Sequence, residues 1–163
     1  MLVVSNTSPI MNLAVVDLLE LLHQQFGEVL VPAAVIDELK LDTDYLGTEN
    51  IRKALSAGWL RQEKLENNQV ALALKRELDE GEAEAIALAI QLKIEVVLMD
   101  ERDGRSIAKS MGLTPIGVLG VLLRAKKSGN IRSVREVLVK LKNDAGFYIT
   151  DSLMSSILSE IGE

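Results

Sequence analysis

The chain has 163 residues, of which 48% are hydrophobic and only 3% aromatic, with no cysteine, one histidine and a net charge of −6. That composition suits one compact domain, residues 1–163, with an aliphatic core. It excludes disulfides, thiolate metal sites and a cysteine nucleophile; the lone His23 supports neither a zinc site nor a serine-hydrolase triad, and aromatic stacking on nucleic-acid bases is not the expected binding mode.

Residues 2–5 (LVVS) read as a buried strand that stops at Asn6. Ser8 and Pro9 look like an N-cap and a first helical residue. Leu13, Val16, Leu19 and Leu22 then recur at helical spacing and predict one helix that Gly27 ends. EVLVP is a second strand, AAVIDELKL a helix, and after a polar loop come the helix IRKALSAG and the strand WLRQE. Helices are predicted over about 68–78 and 82–92, and EVVLM is a strand of the continuous apolar kind that a parallel sheet buries on both faces. It ends at Asp100. DGRSIAKSMG reads as a helix, TPIGV as a strand, 118–128 and 133–142 as helices, and the tail as an extended piece before a terminal helix capped by Thr150. Strands alternating with helices predict an α/β fold with a mainly parallel sheet.

No leader-like segment and no apolar run approaching the roughly 20 residues of a membrane span is present, so a soluble cytoplasmic protein without a membrane is expected. The charge is uneven. Residues 1–100 hold 8 Lys/Arg against 17 Asp/Glu, while 101–163 hold 10 against 7. An acidic cluster that binds cations beside a basic rim that binds a polyanion would have this pattern, as would solvated helix faces.

In a parallel sheet, ligands gather at the carboxyl ends of the strands. Asn6 follows the first strand, Glu38 lies on the helix after the second, Glu82 and Glu84 lie early in a helix, and Asp100 ends the fourth strand with Asp103 just beyond. Hard oxygen donors without His or Cys suit Mg²⁺ or Mn²⁺, and such a cluster supports phosphodiester hydrolysis. Each acid alone also has an ordinary reading, as an exposed helix residue, a dipole partner or a turn residue.

The segments VVSNTSPIMNLA, VPAAVIDEL, GEAEAIALA, VVLMDERDGRSIAKSMGL, PIGVLGVLLRAKKSG and GFYITDSLMSSIL resemble the PIN-domain ribonucleases. That superfamily includes toxins of the VapC type, and the likeness is to a PIN-like branch catalogued as a domain of unknown function. The resemblance implies a three-layer α/β/α sandwich and an acidic pocket that binds Mg²⁺ or Mn²⁺ for RNA cleavage. An antitoxin protein and a homodimer are the implied partners besides RNA. By position, the family's first aspartate falls on Asn6, its second acid on Glu38 and its last on Asp100, with Asp103 accessory. The remaining acid falls on Glu82, with Glu84 the alternative. Thr7 and Ser8 are candidates for binding water or phosphate, and Arg102 and Arg105 foremost, with Arg124, Lys126 and Lys127 further on, for RNA phosphates. Asparagine in place of the first aspartate removes a charge, so weakened metal binding is expected, and a catalytically inactive RNA- or antitoxin-binding module is the alternative. A phospho-receiver domain is disfavoured, because SNTS lacks the acidic pair that would follow its first strand.

Overall fold

A computed structural model describes all residues 1–163. Five strands, β1 (Leu2–Ser5), β2 (Glu28–Val31), β3 (Leu60–Gln62), β4 (Val96–Leu98) and β5 (Thr114–Ile116), form one sheet in the order β3-β2-β1-β4-β5, with every pairing parallel. Ten helices connect and flank them: α1 (Thr7–Val15), α2 (Glu20–Phe26), α3 (Ala33–Leu39), α4 (Thr48–Ala57), α5 (Gln69–Leu74), α6 (Glu80–Leu92), α7 (Arg102–Ser110), α8 (Val118–Lys127), α9 (Val134–Ala145) and α10 (Asp151–Glu160). The sheet separates two apolar layers. Val3, Val29, Val31, Leu60 and Leu98 pack in the larger core with α1, α2, α4, α8 and α9. Val4, Leu30, Val97 and Met99 pack in the smaller one with α6 and α7. Strands covered on both faces explain the unbroken apolar runs of the sequence, and the result is the expected α/β/α sandwich, all-parallel rather than mainly so.

The predicted single helix from Ser8 to Gly27 is instead two. Asp17 adopts a left-handed conformation (φ 59°) between α1 and α2, which aspartate tolerates better than most side chains. Asn50 of α4 stabilises the break by donating to the Ala14 carbonyl at 3.1 Å and to Asp17 Oδ1 at 2.7 Å. The first helix also starts earlier than predicted, with Asn6 at the cap position and Thr7 as its first residue. Pro9 then falls third in the helix, still among the four positions whose N–H would lack an intrahelical partner. Leu74 ends α5 short of residue 78. α6 starts at Glu80 because Asp79 and Glu82 form a reciprocal capping box there.

Since β1 sits at the centre, the chain runs outward from it to β2 and β3, then returns to place β4 on its other side. Position 6 is therefore at the point where strand order reverses, the crevice in which open α/β sheets bind ligands. His23 lies on α2, where it stacks on Trp59 (centroids 5.1 Å apart) with Nδ1 2.6 Å from the Gly27 carbonyl oxygen. No helix is long and apolar enough to cross a membrane.

Candidate active site

The carboxyl edge is built from the ends of β1 and β4 and from the helices that follow β1, β2 and β4, together with the start of α6. The backbone N–H of Asn6 donates to the Leu98 carbonyl at 3.1 Å, which locks the end of β1 to β4. The Asn6 side chain is buried, does not cap α1, and leaves Oδ1 without a hydrogen-bond partner. The following residues serve the acids directly: Thr7 donates its hydroxyl to Glu38 Oε1 (3.2 Å) and Ser8 donates to Asp100 Oδ2 (3.3 Å). Asn12, one turn further along α1, donates to Ser8 Oγ at 3.2 Å.

Glu38 stands on the last turn of α3, and burial, with Asp79 nearby, raises its carboxyl above the ordinary range. Glu82 is only 6% exposed. Its Oε1 faces the Asp79 amide in the capping box, and its Oε2 has no partner. Burial first, and then the charge of Asp79, push this carboxyl up to about 7. Asp100 accepts from the Val118 amide at 2.7 Å and from Ser8; burial still raises it, although these bonds and Arg105 act in the other direction. Charges that desolvate and repel one another in this way shift toward the neutral form unless a cation is at hand.

Three glycines make room for the three acids. A Cβ on Gly81 would stand 2.0 Å from Glu38 Oε1, one on Gly104 2.4 Å from Glu82 Oε2, and one on Gly117 2.7 Å from Asp100 Oδ1. Each carboxylate thus rests against bare backbone, where any side chain would displace it.

Glu84 is engaged elsewhere: it accepts from the Ala34 amide at 3.2 Å and pairs with Lys75 at 3.6 Å, serving the start of α3. Asp103 is exposed on the first turn of α7 and lines neither of the two clefts described next. Two acids that sequence reasoning left out do belong to this edge. Asp79 lines the smaller cleft with Asn6 and Glu38, and Glu101 lines both that cleft and the larger one beside Asp100. Asp79 was legible as the start of the D-x-x-E capping pattern, and Glu101 as the neighbour of a strand-terminal acid. The larger cleft, about 940 Å³, takes Arg102 and Arg105, as well as Arg124 from α8.

An all-parallel α/β sandwich with carboxylates lined up where its strand order turns is a nuclease-like arrangement. The chain belongs to the PIN-domain family: the family DUF3368, described as PIN domain, matches residues 2–163. Among solved structures it is similar in fold to a PilT N-terminus domain protein from the hyperthermophilic archaeon Sulfolobus solfataricus P2, at 20% identity and a TM-score of 0.57, over 77% of this chain and 93% of that one. No curated protein sequence matches it.

The family's Mg²⁺ or Mn²⁺ can be tested against these residues. No three acidic side chains converge into a ready-made cage. The donor set is nonetheless all hard oxygen, two of its buried oxygens, Asn6 Oδ1 and Glu82 Oε2, lack partners, and the glycines keep the space around three carboxylates clear. Mg²⁺ is commonly held by one or two carboxylates, with water and substrate phosphate completing the shell. The residues fit an open site of that kind.

Proposed function

We propose that residues 1–163 act as one cytoplasmic PIN domain that hydrolyses RNA phosphodiesters with Mg²⁺ or Mn²⁺, as the toxin of a toxin–antitoxin pair. The observation that carries the reading is Glu82, a buried carboxylate with an unpartnered oxygen, raised to about 7 beside Asp79, which lines the crevice together with Asn6 and Glu38. Perturbed carboxylates in such a crevice are characteristic of functional sites. Glu38, Glu82 and Asp100, with the amide oxygen of Asn6, would hold the ion, which supplies charge neutralisation and an activated water when bound. Thr7 and Ser8 orient Glu38 and Asp100, and Arg102 and Arg105 hold the RNA backbone beside them. Phosphate contacts of this type position the polymer without reading its sequence.

Asn6 favours a second reading, an RNA- or antitoxin-binding module without turnover, because it brings no charge to the position where the family carries aspartate. The deciding experiment is Mn²⁺ titration and RNA cleavage at low salt, for the chain as it stands and for Asn6→Asp. Tighter Mn²⁺ binding in Asn6→Asp, by about tenfold or more as ligand charge count tunes such sites, together with cleavage that Asp100→Ala abolishes, supports the nuclease. If neither form cleaves with metal while both bind RNA, the module reading stands. A homodimer, proposed by analogy with the family, is read from light scattering.

A further inference from the structure

The larger cleft combines features that the acid cluster does not account for. Arg102, Arg105 and Arg124 all line it, and none of the three forms an ion pair. Arg105 spends one nitrogen on the Met99 carbonyl at 3.0 Å. Arg124 lies over the Phe26 ring, 5.5 Å from its centroid, which steadies the guanidinium while leaving its N–H groups free of carboxylates. Three guanidinium groups free of ion pairs outnumber the two carboxylates of the cleft, Asp100 and Glu101, a balance that favours a polyanion, and their forked donors match phosphate oxygens.

Part of the cleft wall comes from the segment between α9 and α10. Phe147 is half-buried against the larger core and anchors that segment, while Tyr148 beside it is 83% exposed and also lines the cleft. The low aromatic content makes base stacking unexpected for the chain as a whole, yet of its two Tyr and two Phe, one of each is here. An aromatic ring left this open gains little from burial in the fold. Next to phosphate-binding groups, it is a platform for a base.

We infer that the cleft takes single-stranded RNA, with one unpaired base stacked on Tyr148 and the flanking phosphates held by Arg102 and Arg124. The identity of the polymer rests on the ribonuclease reading above. Single strands are selected because a stacking platform needs a base released from its neighbours, and the bases of an RNA duplex are already stacked on one another.

The test is fluorescence anisotropy with a labelled, unstructured oligoribonucleotide in buffer containing EDTA. Tyr148→Ala should weaken binding about fivefold to a hundredfold, the range seen when a stacking residue is truncated, whereas Tyr148→Phe should bind like the parent. An abasic version of the same strand should bind the parent and Tyr148→Ala equally weakly. Arg124→Ala should weaken both strands and flatten the salt dependence. The inference is overturned if Tyr148→Ala binds normally, if the abasic strand is equally sensitive to Tyr148→Ala, or if a duplex binds as tightly. Binding of a polyglutamate peptide with equal affinity and equal Tyr148 dependence would also overturn it, and would mark a protein-docking surface. Because metal is absent, the outcome is separate from cleavage: a chain that never cuts RNA can still stack a base, and one that cuts can lack the platform.

Discussion

Asn6 and Glu82 are buried side chains of the carboxyl edge that each leave one oxygen without a partner, yet they have opposite electrostatic consequences. An amide in that position costs a lost hydrogen bond, while a carboxylate costs charge. For Glu82 the cost depends on pH. The unfolded chain releases this proton near 4.5, and the folded one near 7, so the folded state holds the extra proton in between. Stability from this group is therefore full below about pH 4.5 and is lost as pH rises through about 7. At about 1.4 kcal/mol for each tenfold change in proton affinity, the loss is on the order of 3 kcal/mol. Glu82→Gln, neutral and similar in shape, should remove the slope. Urea unfolding should find it more stable than the parent by about 1–3 kcal/mol at pH 8 and no more stable at pH 4. Mn²⁺ should recover much of the difference in the parent at pH 8 and do little for the variant.

At the scale of elements, the edge is shaped as much by glycines and caps as by acids. Gly104→Ala would place a methyl 2.4 Å from Glu82 Oε2 and 2.6 Å from the Met99 sulfur, where neither buried neighbour can withdraw freely. Its urea midpoint should fall by the equivalent of about 1–3 kcal/mol, the usual cost of overpacking, and its Mn²⁺ affinity should fall with it. Asp79→Ala should separate two roles: the melting temperature drops as the α6 cap is lost, worth about 0.5–2 kcal/mol, while NMR titration shows Glu82 moving down toward the ordinary carboxylate range. The glycines carry no site signal in the sequence and the D-x-x-E pattern at Asp79 marks only a helix start, although the sequence does indicate the strands and the acids beyond them. Apolar runs report burial, and an acid after a strand reports its own position; what it leans on is supplied by residues far along the chain. The break at Asp17 is of the same kind, since its stabilising partner is Asn50 in another helix. Arg124 ranks behind Arg102 and Arg105 as a phosphate contact in the sequence because a basic residue in a helix looks like surface until α8 is seen beside Asp100.

At the scale of the whole molecule, the terminal helix is tied down by Glu163. Its carboxylate accepts from Ser133 Oγ and from the Val134 and Arg135 amides, at 2.8, 2.8 and 3.2 Å, and lies 3.4 Å from Lys126 Nζ. These bonds, the Val134 amide foremost, lower it to about 2. A group depressed in the folded state stabilises above its unfolded value, so this tie is present above about pH 4.5 and is lost as pH falls toward 2. Glu163→Gln should loosen the tie at neutral pH, and hydrogen exchange should speed up over residues 146–160 while β1 remains protected. Phe147 and Tyr148 belong to that segment, so the shape of the larger cleft depends on a contact at the far end of α10. Parallel strands need long crossovers, and the bond from Ser8 to Asp100 joins groups 92 positions apart. A growing chain that has produced β1, β2 and β3 carries Asn6 and Glu38 but has yet to make Glu82, Asp100 or the α8 amide that holds Asp100. If the domain cuts RNA, its own topology keeps the site unfinished, and the message being translated out of its reach, until Asp100 and α8 have followed the first three strands.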